Sequence, residues 1–505
     1  MKLKKILCSG LTGIWLLSLV TGCRQTPIDA TSTDVSGASS ASQNLYADYS
    51  TESNGIYKLV STASGRVLGA HNFGMSAGAL VEQRGYQGDL NQLWAIQKQE
   101  DGTFKFKNLS SGMYMEVKRG ATKDNAVVGV NLSSNEKSQK WYIDLQNDDT
   151  VKIRSAISKK PLQLEDNSTY AGAVAVIYQD TEESSQLFML ELVDNSGRQL
   201  PQMLVLSGDL EHSSCPEIVK FGNTYYSYNM GTGVPIRKST DLKEWETVAS
   251  ALPSSGFSWL QSEVSGGSVW SPGVYKVGDQ YRLYYSVSKS GQNSCIAMAV
   301  NETLDPTADN FQWKDGGVII RSKTGDNYNA IDPNVITDGN GQPWLVFGSY
   351  WGGIMAHKLD RETGLLSQQD TTLYNLARRP ESEGTAIEAP FMIQHGDYYY
   401  LFAAFNRMDT TYHFVVGRSQ NILGPFVDKD GKQMLEGGGT DVTYGKPGVD
   451  LPGHCSVFCD EDGQYYLVGE YWIGNGSGAM LMVGTMLWDN EGWPITALTP
   501  NLFPQ

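Results

Sequence analysis

The chain carries two internal repeats, of different length and make-up, and their periods dictate most of what it can become. From Gly55 to Val193, Gln92-Leu93-Trp94, Gln139-Lys140-Trp141 and Gln186-Leu187-Phe188 fall at 47-residue intervals, as do Leu68, Met115 and Leu162, and Leu80, Val127 and Val174. Each copy consists of short alternating or apolar runs bounded by Gly, Asn or Ser, the mark of strands. A short-stranded unit of this size cannot bury a face alone. Three copies are therefore expected to pack around a pseudo-threefold axis, with Trp94 and Trp141 in the shared core.

After the polar link Asp194-Asn195-Ser196-Gly197-Arg198 a second unit begins, a glycine turn feeding an aromatic strand. Its copies start at Gly222, Gly278, Gly341, Gly396 and Gly463, about 55 to 70 residues apart, which leaves room for one four-stranded sheet each. Five such sheets arranged radially make a five-bladed β-propeller. In each copy an apolar segment precedes the turn, such as Ala389-Pro390-Phe391-Met392-Ile393, and is expected to be the inner strand with its first residues at the axis.

Composition excludes some functions. With 39 basic against 55 acidic residues and a net charge of −16, the chain offers no basic stripe for nucleic acid, so a neutral polymer is the easier partner. Its 26 Tyr, 12 Trp and 54 Gly favour an all-β protein whose aromatic faces can stack on sugar rings. Residues 1–22 read as an export address: Lys2, Lys4 and Lys5 precede the apolar run Ile6 to Val20, which ends in Val20-Thr21-Gly22-Cys23. The segment resembles a bacterial lipoprotein signal peptide, which implies a cell-surface or extracellular protein held to the membrane by a lipid on Cys23. Residues 23–53, rich in Ser, Thr, Ala, Asp and Gly, then read as a flexible tether, followed by the threefold repeat (54–194) and the fivefold one (200–505). Cys215, Cys295, Cys455 and Cys459 remain, an even count that permits disulfides in an exported protein.

The chemistry concentrates in two segments. Glu388, in Gly384-Thr385-Ala386-Ile387-Glu388-Ala389-Pro390-Phe391, is a carboxylate among small and apolar neighbours. Such a setting disfavours its charged form, so that it can hold a proton near neutral pH as a general acid does. A lone glutamate of this kind is commonly just the mouth of a strand; the second segment changes that reading. Asp326-Asn327-Tyr328-Asn329-Ala330-Ile331-Asp332-Pro333-Asn334 presents Asp332 in the same way at the head of the neighbouring inner strand, and two carboxyl groups so placed suggest glycoside hydrolysis.

These segments, with Ala386-Ile387-Glu388-Ala389-Pro390, Val416-Gly417-Arg418-Ser419 and Leu435-Glu436-Gly437-Gly438-Gly439-Thr440, resemble glycoside hydrolase family 43, and within it the arabinan-degrading enzymes. The likeness runs from about Leu206 to Pro500. The Gln-x-Trp repeat resembles the ricin-type β-trefoil lectins, giving an all-β chain of a carbohydrate-binding trefoil followed by a propeller. In those lectins an early acidic residue of each repeat meets sugar; the equivalent positions here are Gly69, Glu116 and Gln163, so only the middle repeat keeps an acid. The family 43 resemblance implies hydrolysis of α-1,5-linked L-arabinan or arabino-oligosaccharides of plant cell walls with inversion. It implies Glu388 as proton donor, Asp332 as the group that orients Glu388 and raises its pKa, and His454 beside a metal, often calcium and commonly held through water. It also implies an Asp base at the head of the first blade, where this chain has Cys215 in Ser213-Ser214-Cys215-Pro216-Glu217; Trp270-Ser271-Pro272-Gly273 departs from the family wording as well. A thiol cannot replace a carboxylate base. The base has therefore moved, with Glu217, Asp209 and Glu211 as candidates, or the chain captures glycans without cutting them. Cys215 is expected on the cleft floor near His454, as a metal ligand or paired with Cys455.

Overall fold

The structure is a computed structural model that describes residues 55–503, apart from 147–149, 410, 447, 474–477 and 501. The expected signal peptide, Cys23 and the tether lie outside the described residues. Strand dominates; among the described residues the one α-helix is the single turn Leu260–Glu263.

The threefold repeat folds as a 12-stranded sheet between Ile56 and Asp194. Its periodicity has a direct cause in hydrogen bonds that recur at the repeat interval. Gln92, Gln139 and Gln186 each donate to a carbonyl seven residues back, at Gly85, Leu132 and Gln179, and accept from the amides of Gln87, Ser134 and Thr181. The buried indoles of Trp94 and Trp141 donate to the carbonyls of Leu68 (2.9 Å) and Met115 (3.1 Å). Phe188 takes the third core position and is fully buried. Glu116 and Gln163 also accept from the Gln of their own repeats, at 2.8 Å each. Glu116 accepts a second, longer bond from Asn131, so its carboxylate is part of the framework.

The fivefold repeat gives five sheets of strands ordered from the axis outward. Their inner strands are Glu217–Phe221, Ser268–Val277, Asn334–Thr337, Ile387–His395 and Asp450–Cys459, and each touches the next until the last meets the first. That closed ring is a five-bladed propeller. The glycines that open each copy, Gly222, Gly278, Gly341, Gly396 and Gly463, all have φ between 54° and 85° and turn the inner strand back into the second one. The second strands read as near-continuous apolar runs such as Tyr398–Phe405, because neighbouring blades cover both of their faces. The segment from Gln202 to Ser213 ties the ring shut. It bonds to Val483, Thr485, Leu481 and Ala479 in the last blade, while Ser207 and Gly208 pair with the outer strand of the first.

Beside the trefoil's own core, a second apolar cluster spans trefoil and propeller. Ile56, Phe73, Leu90, Leu93 and Leu109 pack in the same cluster as Tyr412, Val449 and Phe503. At its edge Lys446 Nζ meets Asp89 Oδ1 at 2.6 Å, with side-chain exposures of only 12% and 5%.

Candidate active site

One mouth of the propeller axis opens into a cavity of about 760 Å³ lined by Cys215, Ser271, Asp332, Glu388, His454 and Glu470, with Trp270, Tyr350, Trp351 and Trp472 among its walls. These side chains reach it because the inner strands are distorted at their heads. Cys215, Asp332, Ala389 and His454 hold φ values of 49°, 58°, 51° and 42°, a left-handed backbone that costs non-glycine residues about 1–3 kcal/mol and is concentrated at functional sites. In the second, fourth and last blades the register also slips at Val269/Pro272, Glu388/Phe391 and Gly453/Ser456. Such bulges re-aim side chains.

Asp332 and Glu388 come together as expected. Asp332 is buried; Ser271 donates to its Oδ1 at 2.6 Å, and the amide of Ala389, next to Glu388, donates to its Oδ2 at 3.1 Å. Glu388 Oε2 accepts from Ser349 at 3.0 Å. Burial raises the pKa of both acids, and for Glu388 the neighbouring Asp332 charge adds to it.

Cys215 lies on the cleft floor with Sγ 3.2 Å from His454 Nδ1. It is not in a disulfide: all four cysteines among the described residues are free, and Cys455 Sγ packs against Gly469 of its own blade. Burial, with the charges of Glu470 and Asp332, pushes the Cys215 thiol well up, so it is protonated and unsuited to be base or nucleophile. Burial also drives His454 down to about 4, leaving a neutral ring. Calcium takes six to eight oxygen ligands. A ring nitrogen facing a thiol does not supply them, and among the described residues no group of three or more His, Cys, Asp or Glu side chains is arranged to hold a metal. The donors at His454 do not fit a directly ligated calcium ion.

None of the carboxylates weighed from the sequence as a replacement base lines the cleft itself. Glu217 lines a narrow pocket of about 20 Å³ with Cys215 and Ser271, where its Oε1 accepts from the Val274 amide at 3.0 Å. Asp209 accepts from the Thr247 amide at the outer edge of the first blade, and Glu211 bridges to Met480. The carboxylate that does line the cleft is Glu470, in the second strand of the last blade. A signal for it existed: it is the one acid in the five second strands, in Leu467-Val468-Gly469-Glu470-Tyr471-Trp472, an apolar setting like that of Glu388.

Burial holds the Glu217 carboxyl up at about 8, against an ordinary value of 4.5. A raised carboxyl pKa means that, as pH climbs above 4.5, the unfolded chain releases this proton first and stability drains until about pH 8. Glu217→Gln, which keeps an acceptor for Val274, is therefore expected to match the wild type in melting temperature near pH 4 and to exceed it increasingly toward pH 8.5. The margin is a few kcal/mol at most, from about 1.4 kcal/mol per tenfold change in proton affinity. Equal melting curves at both pH values would refute this burial argument.

A closed propeller with two buried carboxyl groups of raised pKa at an aromatic-walled cleft defines a glycosidase site. The comparisons specify which kind. Residues 205–494 match Glycosyl hydrolases family 43, and the chain belongs to that family. Residues 41–131 match the ricin-type beta-trefoil lectin domain-like family. The chain is 36% identical over 295 residues (55% of this chain, 84% of the relative) to the extracellular exo-alpha-(1->5)-L-arabinofuranosidase ArbA of Cellvibrio japonicus. It is also 36% identical over 299 residues (57% and 88%) to the extracellular endo-alpha-(1->5)-L-arabinanase 1 of Bacillus subtilis. Among solved structures, Cellvibrio cellulosa alpha-L-arabinanase complexed with arabinohexaose superimposes with a TM-score of 0.54 at 33% identity, covering 57% of this chain and 96% of that one. The GH43 endo-arabinanase from Bacillus licheniformis does so at 0.53 and 37%, covering 57% and 99%.

Proposed function

We propose that the chain hydrolyses α-1,5-linked L-arabinan or arabino-oligosaccharides with inversion, outside the cell. The observation that carries this is the pair Asp332 and Glu388 in the cleft of a family 43 propeller, supported by relatives named for that linkage. In this reading Glu388, whose protonated form is favoured by burial and by the Asp332 charge, gives its proton to the leaving sugar oxygen. Asp332, fixed by Ser271 and by the Ala389 amide, holds that segment and supplies the like charge. Trp270, Trp351 and Trp472 offer faces on which sugar rings stack. Glu116 of the trefoil, already engaged by Gln139 and Asn131, adds little to this reading. Export rests on the apolar run Ile6 to Val20 and on Cys23, with two relatives described as extracellular.

The test is incubation with linear arabinan, with reducing ends counted and the first-formed anomer read by proton NMR. New ends of inverted configuration are expected. In intact cells the activity should sediment with the membrane and pass to the medium in a Cys23→Ala variant. Retention of configuration would refute the inverting mechanism. Binding of arabino-oligosaccharides without turnover would favour glycan capture, the reading that Cys215 raises.

A further inference from the structure

Inversion requires a carboxylate across the sugar from the acid, with room for a water between them. At the head of the first blade, where the resemblance expects that group, stands a buried thiol. Glu217 points into the narrow pocket instead, and Asp209 and Glu211 lie on the closing segment away from the cleft.

Resting on the proposed hydrolytic function, we propose that Glu470 is the general base, a carboxylate supplied by the last blade in place of the side chain that Cys215 does not provide. The attachment is specific. The Cys215 amide donates to Glu470 Oε2 at 2.9 Å, bringing the carboxylate from the second strand of one blade to the head of the inner strand of the next. The left-handed backbone at Cys215, φ 49°, aims that amide at the last blade rather than along a strand ladder. A hydrogen bond from Ser214 also favours the charged form of Glu470. Only 2% exposed, Glu470 is fixed opposite Gly453 and Leu481, and it lines the same cavity as Glu388. Burial lifts it to about 7, near the working range of a base at neutral pH.

The step balances. The oxygen of one water bonds to the anomeric carbon as that water yields a proton to Glu470. The glycosidic carbon–oxygen bond breaks as Glu388 gives its proton to the leaving oxygen. One water is consumed and two sugars leave, one of them with a new hemiacetal end. Glu470 ends protonated and Glu388 ionised, and solvent exchange resets both.

The experiment compares two substrates, linear arabinan and an aryl α-L-arabinofuranoside with a good leaving group, using the full chain. Glu470→Gln, which can still accept from the Cys215 amide, is expected to lower kcat about 10²- to 10⁴-fold on both, with KM changed little. Glu388→Gln should instead recover on the aryl substrate, because a good leaving group needs no acid. Azide, a nucleophile that needs no base, should restore turnover to Glu470→Gln and yield the inverted glycosyl azide. Cys215→Asp placed in the Glu470→Gln background should raise its activity at least tenfold. Should Glu470→Gln fail to fold, Glu470→Asp provides the same azide test. Glu470→Gln activity within threefold of an active wild type overturns the proposal, as does a loss confined to arabinan. A wild type inactive on both substrates overturns the hydrolytic reading itself, and the base with it.

Discussion

Glu388→Gln is expected to lower kcat on linear arabinan about 10²- to 10⁴-fold while leaving the melting temperature and the affinity for arabino-oligosaccharides nearly unchanged. The amide matches the carboxyl in shape and can still accept from Ser349, so packing is kept and only the transferable proton is lost. The same assay on Asp332→Asn separates the two acids. Burial and the Asp332 charge both raise Glu388, so removing that charge lowers the Glu388 pKa, and the acid loses its proton at lower pH. The alkaline limb of kcat/KM should therefore move to lower pH. Wild-type rates in Glu388→Gln on unactivated arabinan would remove the assignment.

Trp141→Ala is expected to destabilise the trefoil by about 3–5 kcal/mol. The indole is fully buried in the trefoil core, and its Nε1–H satisfies the Met115 carbonyl, so truncation leaves both a cavity and an unpaired acceptor. The chain contains its own control: Phe188 fills the equivalent core position of the third repeat without a ring N–H. Trp141→Phe should accordingly cost much less than Trp141→Ala. Denaturant unfolding followed by tryptophan fluorescence measures both, and a loss below about 1 kcal/mol for the alanine variant would mean that the ring is not core.

The trefoil does not answer such tests as an isolated unit. Phe73, Leu90, Leu93 and Leu109 pack with propeller residues, so a trefoil expressed alone would expose them to water. Nothing in the repeat announced this. An apolar residue reads the same in sequence whether it faces its own core or another domain.

What the sequence determined by itself was local and periodic. The 47-residue interval is legible because each repeat closes the same hydrogen bonds around its Gln and its ring, and the five blades because each needs a glycine at positive φ between inner and second strand. Asp332 and Glu388 were legible because an acid among apolar neighbours is unusual wherever it stands. Tertiary structure decided where Cys215 lies and what faces it. Its partner Glu470 is 255 residues away, and ring closure alone makes the last blade the neighbour of the first. Contacts across that seam leave no period or spacing in the chain, so the thiol, the imidazole and the third carboxylate became one site only when the propeller closed.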